Sequence, residues 1–230
     1  MANAWDKVAL PYLKEITAGT NTDFAYERQV NSLAILSWCH ATENVLDLGC
    51  GDGRFTRDLE TRFNHVYGVD ISSILLKKAK KLCKSVKFFY CDLEKDFPKF
   101  VTKFDTVICK LLLMYIKDLD NIASNSFNWL TDGVTLIISI THPIKWITQA
   151  NYKGYLLETQ ISHPVAGIKH TEIEFVSRTI ETYINSFTKH GFVLETISEI
   201  GVPDSFVIKY PQYRPYQYKP YRLNLKFIKR

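Results

Sequence analysis

Short apolar runs alternate along the chain with stretches where apolar side chains recur every three or four positions. Val45, Leu46 and Leu48 mark a first run and His65 to Val69 a second, and both read as buried strands. Between and after them, Arg54 to Arg62 and Ser72 to Cys83 carry helical spacing. In the latter, Ile74, Leu75, Ala79 and Leu82 form the apolar stripe, and Lys77, Lys78, Lys80 and Lys81 a solvated face. Strands that alternate with helices predict an α/β fold, a doubly wound, mostly parallel sheet.

The flanks differ from this middle. Trp5, Val8, Ala9, Tyr12, Leu13 and Ile16 lie on one face of an N-terminal helix that Pro11 kinks or divides. A loop over Thr17 to Asp23 leads to a second helix, Tyr26 to His40, with Val30, Leu33, Ala34, Ser37 and Trp38 inward. Beyond Thr141 the rhythm breaks until about Gly167, a segment with two His-Pro pairs that reads as an inserted cap. Regular structure returns with a strand at Thr171 to Val176 and a helix at Thr179 to His190 that Gly191 ends. Strands follow at Phe192 to Ile200 and Tyr221 to Ile228. Pro203, Pro211, Pro215 and Pro220 keep the connection between these two extended or turning.

Chemistry concentrates where the first strand ends. Asp47-Leu48-Gly49-Cys50-Gly51-Asp52-Gly53 spaces its glycines as D-x-G-x-G-x-G, so the backbone can turn sharply and approach a ligand. A dinucleotide fingerprint would need its third glycine where Arg54 stands. Asp70 closes the second strand, where open α/β sheets place a carboxylate against ribose hydroxyls. The same glycines could instead serve a tight turn without a ligand.

This spacing, with Asp47 leading it, resembles motif I of the class I S-adenosylmethionine-dependent methyltransferases. The resemblance continues in order from Val45 to Ile140. Phe88-Phe89-Tyr90-Cys91-Asp92-Leu93 is similar to the family's third strand, Phe104-Asp105-Thr106-Val107-Ile108-Cys109 to its fourth, and Trp129 to Ser139 to its turn and fifth strand, with Asp132 in place of a glycine. The resemblance implies a seven-stranded sheet whose last strand inserts antiparallel beside the fifth. It implies S-adenosyl-L-methionine as cofactor and S-adenosyl-L-homocysteine as product, and no metal is expected, because the cysteines show no zinc-ligand spacing. Gly49, Gly51 and Gly53 would approach the amino acid part, and Asp47 would hold the turn or, through water, the cofactor ammonium. Asp70 with Ile71 would meet the ribose, and Asp92 with Leu93 the adenine. Cys109, at the fourth strand's exit, would also border the cofactor, and Trp5 and Tyr12 would fold over the cofactor or simply pack in the core.

That exit, Cys109-Lys110-Leu111-Leu112, lacks the [D/N/S]-P-P-[Y/F] and Pro-Cys sequences of two routes to nucleic-acid base methylation, and Cys109 reads as a buried thiol. His142 leaves the carboxyl end of the fifth strand and is the candidate general base, although a His before Pro143 can also shape a turn. His163, His170, Trp146, Tyr152 and Tyr155 belong to the presumed cap and are weaker candidates to face substrate.

The 230 residues suit one domain, divided into an N-terminal cover (1–43), a cofactor core (44–143), a substrate cap (144–176) and the rest of the sheet (177–230). No apolar run approaches the roughly 18 residues of a membrane span and no signal peptide is evident, so a cytoplasmic protein is expected. Five cysteines without a C-x-x-C pair suggest reduced thiols. The formal charge is +5, yet seven cations follow Asp204, the last acid, so the rest of the chain carries −2. The expected activity is methyl transfer to an oxygen, nitrogen or carbon of a small molecule, an EC 2.1.1 reaction, with no nucleic-acid or membrane partner and the oligomeric state open. The alternative is a methyltransferase for RNA or protein that recognises its target with the basic, tyrosine-rich segment Tyr210 to Arg222.

Overall fold

The computed structural model describes residues 3–39, 44–147, 153–169 and 171–230. His40, Tyr152 and His170 lie outside the described residues. The elements in order are α1 (Ala4–Ala18), α2 (Thr22–Tyr26), a π-helical turn (Glu27–Asn31), α3 (Ser32–Ser37), β1 (Asn44–Leu48), α4 (Arg54–Glu60), β2 (His65–Asp70), α5 (Ser73–Leu82), β3 (Lys87–Tyr90), β4 (Phe104–Lys110), α6 (Leu119–Trp129) and β5 (Leu130–Thr141). Then come β6 (Thr159–Pro164), β7 (Glu172–Ser177), α7 (Ile180–Thr188), β8 (Phe192–Ile200), α8 (Asp204–Lys209) and β9 (Arg222–Lys229).

Seven strands form one sheet in the order β3-β2-β1-β4-β5-β9-β8. The pairings from β3 through β5 are parallel, and β9 lies antiparallel between β5 and β8. This is the doubly wound, mostly parallel arrangement that the sequence predicts. Both faces are covered, and the strand pleat divides the core accordingly. Leu46, Val107, Leu136 and Ile138 pack with Ile122 of α6 and Phe187 of α7. Their neighbours Val45, Ile108 and Ile137 pack on the other face with Ile35 and Leu36 of α3 and Leu59 of α4.

Four local expectations change. Helix α6 is unanticipated: Asp118 caps it by accepting from the Asp120 and Asn121 amides, and Leu119, Ile122, Ala123 and Ser126 are buried along one face. The second helix is divided by the π turn, whose extra residue rotates the following face. Ser32, Ile35 and Leu36 therefore point inward while Leu33, expected inside, is 56% exposed. The inserted cap contains an ordered hairpin in which β6 pairs antiparallel with β7. The Pro-rich connection after β8 includes α8, with Phe206 and Val207 buried.

The hairpin and α1 meet above the carboxyl ends of the strands. Val8 of α1, Val165 and Ile173 of β7 form a small apolar cluster with Trp5, Tyr12 and Tyr115 against it. Asn3 and Asp6 tie the start of α1 to the sheet, since Asn3 Nδ2 donates to the Ile71 carbonyl (2.7 Å) and the Ser72 hydroxyl donates to Asp6 (2.6 Å).

Candidate active site

A cavity of about 770 Å³ opens along the carboxyl ends of β1, β2, β3, β4 and β5 and the start of β9, roofed by α1 and the hairpin. Its size lies within the usual range for small-ligand sites, about 300–1,000 Å³. The sheet order divides it into a half over β3, β2 and β1 and a half over β4, β5 and β9.

The first half is built on the glycine turn. Gly49 and Cys50 both donate their amides to the Val69 carbonyl, which ties the turn to β2. Asp70 completes the tie: its carboxylate accepts from the Gly51 amide (2.8 Å) and the Ser72 amide (2.7 Å). Burial raises this carboxyl to about 6 even though both amides favour its charged form. Asp47 is 1% exposed and accepts from the Thr56 hydroxyl (2.7 Å), and burial raises it to about 7 against that hydrogen bond. Gly51 has φ +54°, and a Cβ added there would meet no protein atom within 4 Å. It therefore presents bare backbone to open space, as a cradle for a close-fitting ligand requires.

The structure brings Asp47, Gly49, Gly51, Asp70 and Ile71 to this cavity, with Asp92 and Leu93 at its β3 edge and Trp5 and Tyr12 in its roof. The Trp5 ring meets Tyr115 edge-on (5.0 Å), and the Tyr12 hydroxyl accepts from Arg54 (3.2 Å). Asp92 also pairs with Lys95 at 2.6 Å.

Three expected site residues lie elsewhere. Gly53 has φ +82° and an added Cβ would stand 2.8 Å from that of Ala79, so its bareness serves the packing of α4 on α5, and it does not line the cavity. Cys109 is fully buried in the core cluster that includes α6 and does not line the cavity, and burial raises its thiol further from ionisation. His142, the expected base, is also fully buried and does not line the cavity. Its Nδ1 accepts from the Ile144 amide (3.2 Å), which assigns the proton to Nε2, and that nitrogen faces Glu199 of β8 at 2.8 Å. Burial lowers its pKa despite Glu199. It caps the 3-10 turn Pro143–Trp146.

The second half holds a charged cluster that sequence reasoning missed. The π turn places Glu27 between Arg222 Nε (2.6 Å) and Lys110 Nζ (2.9 Å), with Asn31 donating to it at 2.9 Å. Burial alone would raise the Glu27 carboxyl, but Arg222 and Lys110 overcome it and hold it at about 2. Lys145 stands 4.0 Å over the Tyr221 ring. Burial, then the charge of Arg222, lowers it to about 7 against Asp23 and Glu27. Trp146 and His163 of the cap also line this half, their rings 4.9 Å apart, and burial with nearby Lys145 lowers the His163 pKa. Tyr155 is outside it and accepts from the Ile180 amide.

An open sheet with a crossover site and one antiparallel strand beside β5 defines the class I methyltransferase fold, whose cofactor is S-adenosylmethionine. The chain belongs to the methyltransferase domain family, which matches residues 40–178. A malonyl-[acyl-carrier protein] O-methyltransferase of Bacillus cereus is 25% identical over 72% of this chain and 67% of its own length. The human mitochondrial ubiquinone biosynthesis O-methyltransferase is 27% identical over 66% of this chain, which spans only 42% of that protein. A solved S-adenosylmethionine-dependent methyltransferase from Mesorhizobium loti shares the fold with TM-score 0.68 at 21% identity, covering 85% of this chain and 96% of that one.

Proposed function

We propose that the chain transfers a methyl group from S-adenosylmethionine to a small molecule, with the cofactor over β1 to β3 and the acceptor over β4, β5 and β9. The observation that carries this reading is the roofed cavity joining the glycine turn to the charged half. The donor set fits the cofactor: Gly51 offers bare backbone, Asp70 and Asp92 are the carboxylates for ribose and adenine, and Asp47 stands by the turn. Bound S-adenosylmethionine supplies an electrophilic methyl on an excellent leaving group, so positioning and exclusion of water account for much of the acceleration. Trp5 and Tyr12 exclude water from above. Asp70 fixes the cradle before the ligand arrives, which reduces the ordering cost of binding. His163, whose pKa burial and then nearby Lys145 lower, is the imidazole that lines the acceptor half.

The tyrosine-rich segment supports this reading over the polymer alternative. Tyr213 and Tyr221 are buried, and both hydroxyls donate to Asp23. Three of the seven late cations are paired within the fold, Arg222 with Glu27, Lys226 with Glu195 and Lys229 with Asp132. The test is to incubate the protein with methyl-labelled S-adenosylmethionine and host-cell extract. Label in the small-molecule fraction is expected, and label on RNA or protein would overturn the acceptor class.

A further inference from the structure

We propose that the half of the cavity over β4, β5 and β9 binds an oxyanion, so that the acceptor is a small molecule bearing a carboxylate or phosphate group anchored by Lys145. The acceptor role rests on the proposed methyl transfer, whereas anion binding at this half does not.

Four cations line this half, Arg28, Lys110, Lys145 and Arg222, against two carboxylates, Glu27 and Asp23. Glu27 is committed to Arg222 and Lys110, both within 3 Å. Asp23 is committed to the hydroxyls of Tyr213 and Tyr221. Lys145 faces aromatic rings, Tyr221 at 4.0 Å, Trp146 at 5.9 Å and Tyr216 at 6.0 Å, and its ammonium has no hydrogen bond or ion pair among the described residues, although Asp23 and Glu27 act on it from further away. Arg28 stands at the exposed rim, also without an ion pair among them. An ammonium held on a ring face inside a cavity keeps its N–H donors for another group. An oxyanion supplies the missing charge and acceptors together.

A structural alternative is that Tyr221 alone is the partner of Lys145 through a cation–π contact. That contact leaves the hydrogen-bonding capacity unmet, whereas an anion on the side away from the ring meets it. Binding would also draw a proton onto Lys145 wherever the free amine is partly neutral, so the site predicts proton uptake on binding near pH 8.

The test uses the full chain with three probes, sodium benzoate, inorganic phosphate and neutral benzamide, titrated by calorimetry at pH 8 in two buffers of different ionisation enthalpy. S-adenosylhomocysteine is titrated separately. Benzoate or phosphate should bind with proton uptake while benzamide does not. Benzoate preference assigns a carboxylate and phosphate preference a phosphate. Lys145→Gln should weaken the preferred anion at least ~10-fold, the loss of one charge-assisted hydrogen bond, and Lys145→Arg should restore most of it. Unchanged S-adenosylhomocysteine affinity in both variants shows that the fold and cofactor half survive. Benzamide binding as tightly as benzoate, or equal anion affinity in Lys145→Gln, would overturn the proposal. Failure of the wild type to bind S-adenosylhomocysteine would instead sink the methyltransferase reading and leave the anion result standing. If, with the true acceptor, Lys145→Gln lowers kcat and leaves KM unchanged, Lys145 is a base and the anchor role is wrong.

Discussion

The Asp70 carboxylate lies 2.8 Å from the Gly51 amide, a bond between the end of β2 and the turn after β1 that makes one unit of the two strand ends. Its other oxygen accepts from the Ser72 amide at the start of α5, so one side chain orders both walls of the cofactor half. Asp70→Ala should therefore weaken S-adenosylhomocysteine by roughly 30- to 100-fold, about 2–3 kcal/mol from lost charge-assisted hydrogen bonds and a loosened cradle. Asp70→Asn should be no mild change, because its NH2 group meets one of the two N–H donors. Calorimetric titration of the three proteins checks this. Wild-type affinity in Asp70→Ala would remove Asp70 from the cofactor site.

His142 should behave as a structural residue. Its Ile144 and Glu199 contacts tie the end of β5 to β8, and the ring touches no part of the cavity. His142→Ala leaves a buried gap and an unmet amide, which costs about 2–4 kcal/mol of stability. Cofactor affinity and turnover, measured below the new melting point, should stay within about threefold of wild type. A kcat loss of ~100-fold with intact stability would restore it as the base.

These outcomes mark which features are legible along a chain. The glycine turn, Asp47 and Asp70 are a local pattern, because a sharp turn beside a ligand constrains neighbouring residues directly. His142 misleads for an equally local reason. Thr141 lines the cavity and His142 does not, and successive side chains near a strand's end point to opposite sides, so a one-residue difference reverses the inference. Helix α6 is hidden by Asn121, Asn125, Asn128 and two serines, weak helix formers that tertiary burial of Ile122 and Ala123 overrides. Glu27, Lys110, Lys145 and Arg222 come from four distant parts of the chain, and no spacing rule joins residues that meet only after the sheet has formed.

The pH dependence of the unliganded protein should carry the sign of Asp47. Its folded pKa, about 7, lies above the unfolded carboxylate value, so the folded state binds the proton more tightly. Its contribution to stability is fully present below about pH 4 and is lost as pH rises through 7. Asp47→Asn removes the titration while keeping an acceptor for Thr56. The melting temperature of the variant relative to wild type should rise between pH 5 and pH 8. A flat difference would mean that Asp47 is not desolvated in solution.

Glu27 should show the opposite sign. Its folded pKa of about 2 lies below the usual value because Arg222 and Lys110 overcome its burial, so its contribution is present above about pH 4.5 and is lost as pH falls toward 2. Removing the carboxylate leaves two cations in a partly buried site without their shared partner. Breaking such a pair costs about 3–5 kcal/mol, and Glu27→Ala should lose an amount of that order at pH 7. Glu27→Gln keeps the Asn31 contact and should lose less. The stability gap between the Glu27→Gln variant and wild type, read from urea unfolding, should narrow as pH falls from 6 to 3. Glu27→Gln should also tighten phosphate or benzoate binding, because Arg222 and Lys110 then join Lys145 in facing the cavity without a carboxylate between them. A stability gap that stays constant across that pH range would show that Glu27 acts by packing alone, since only its ionised form can hold both cations.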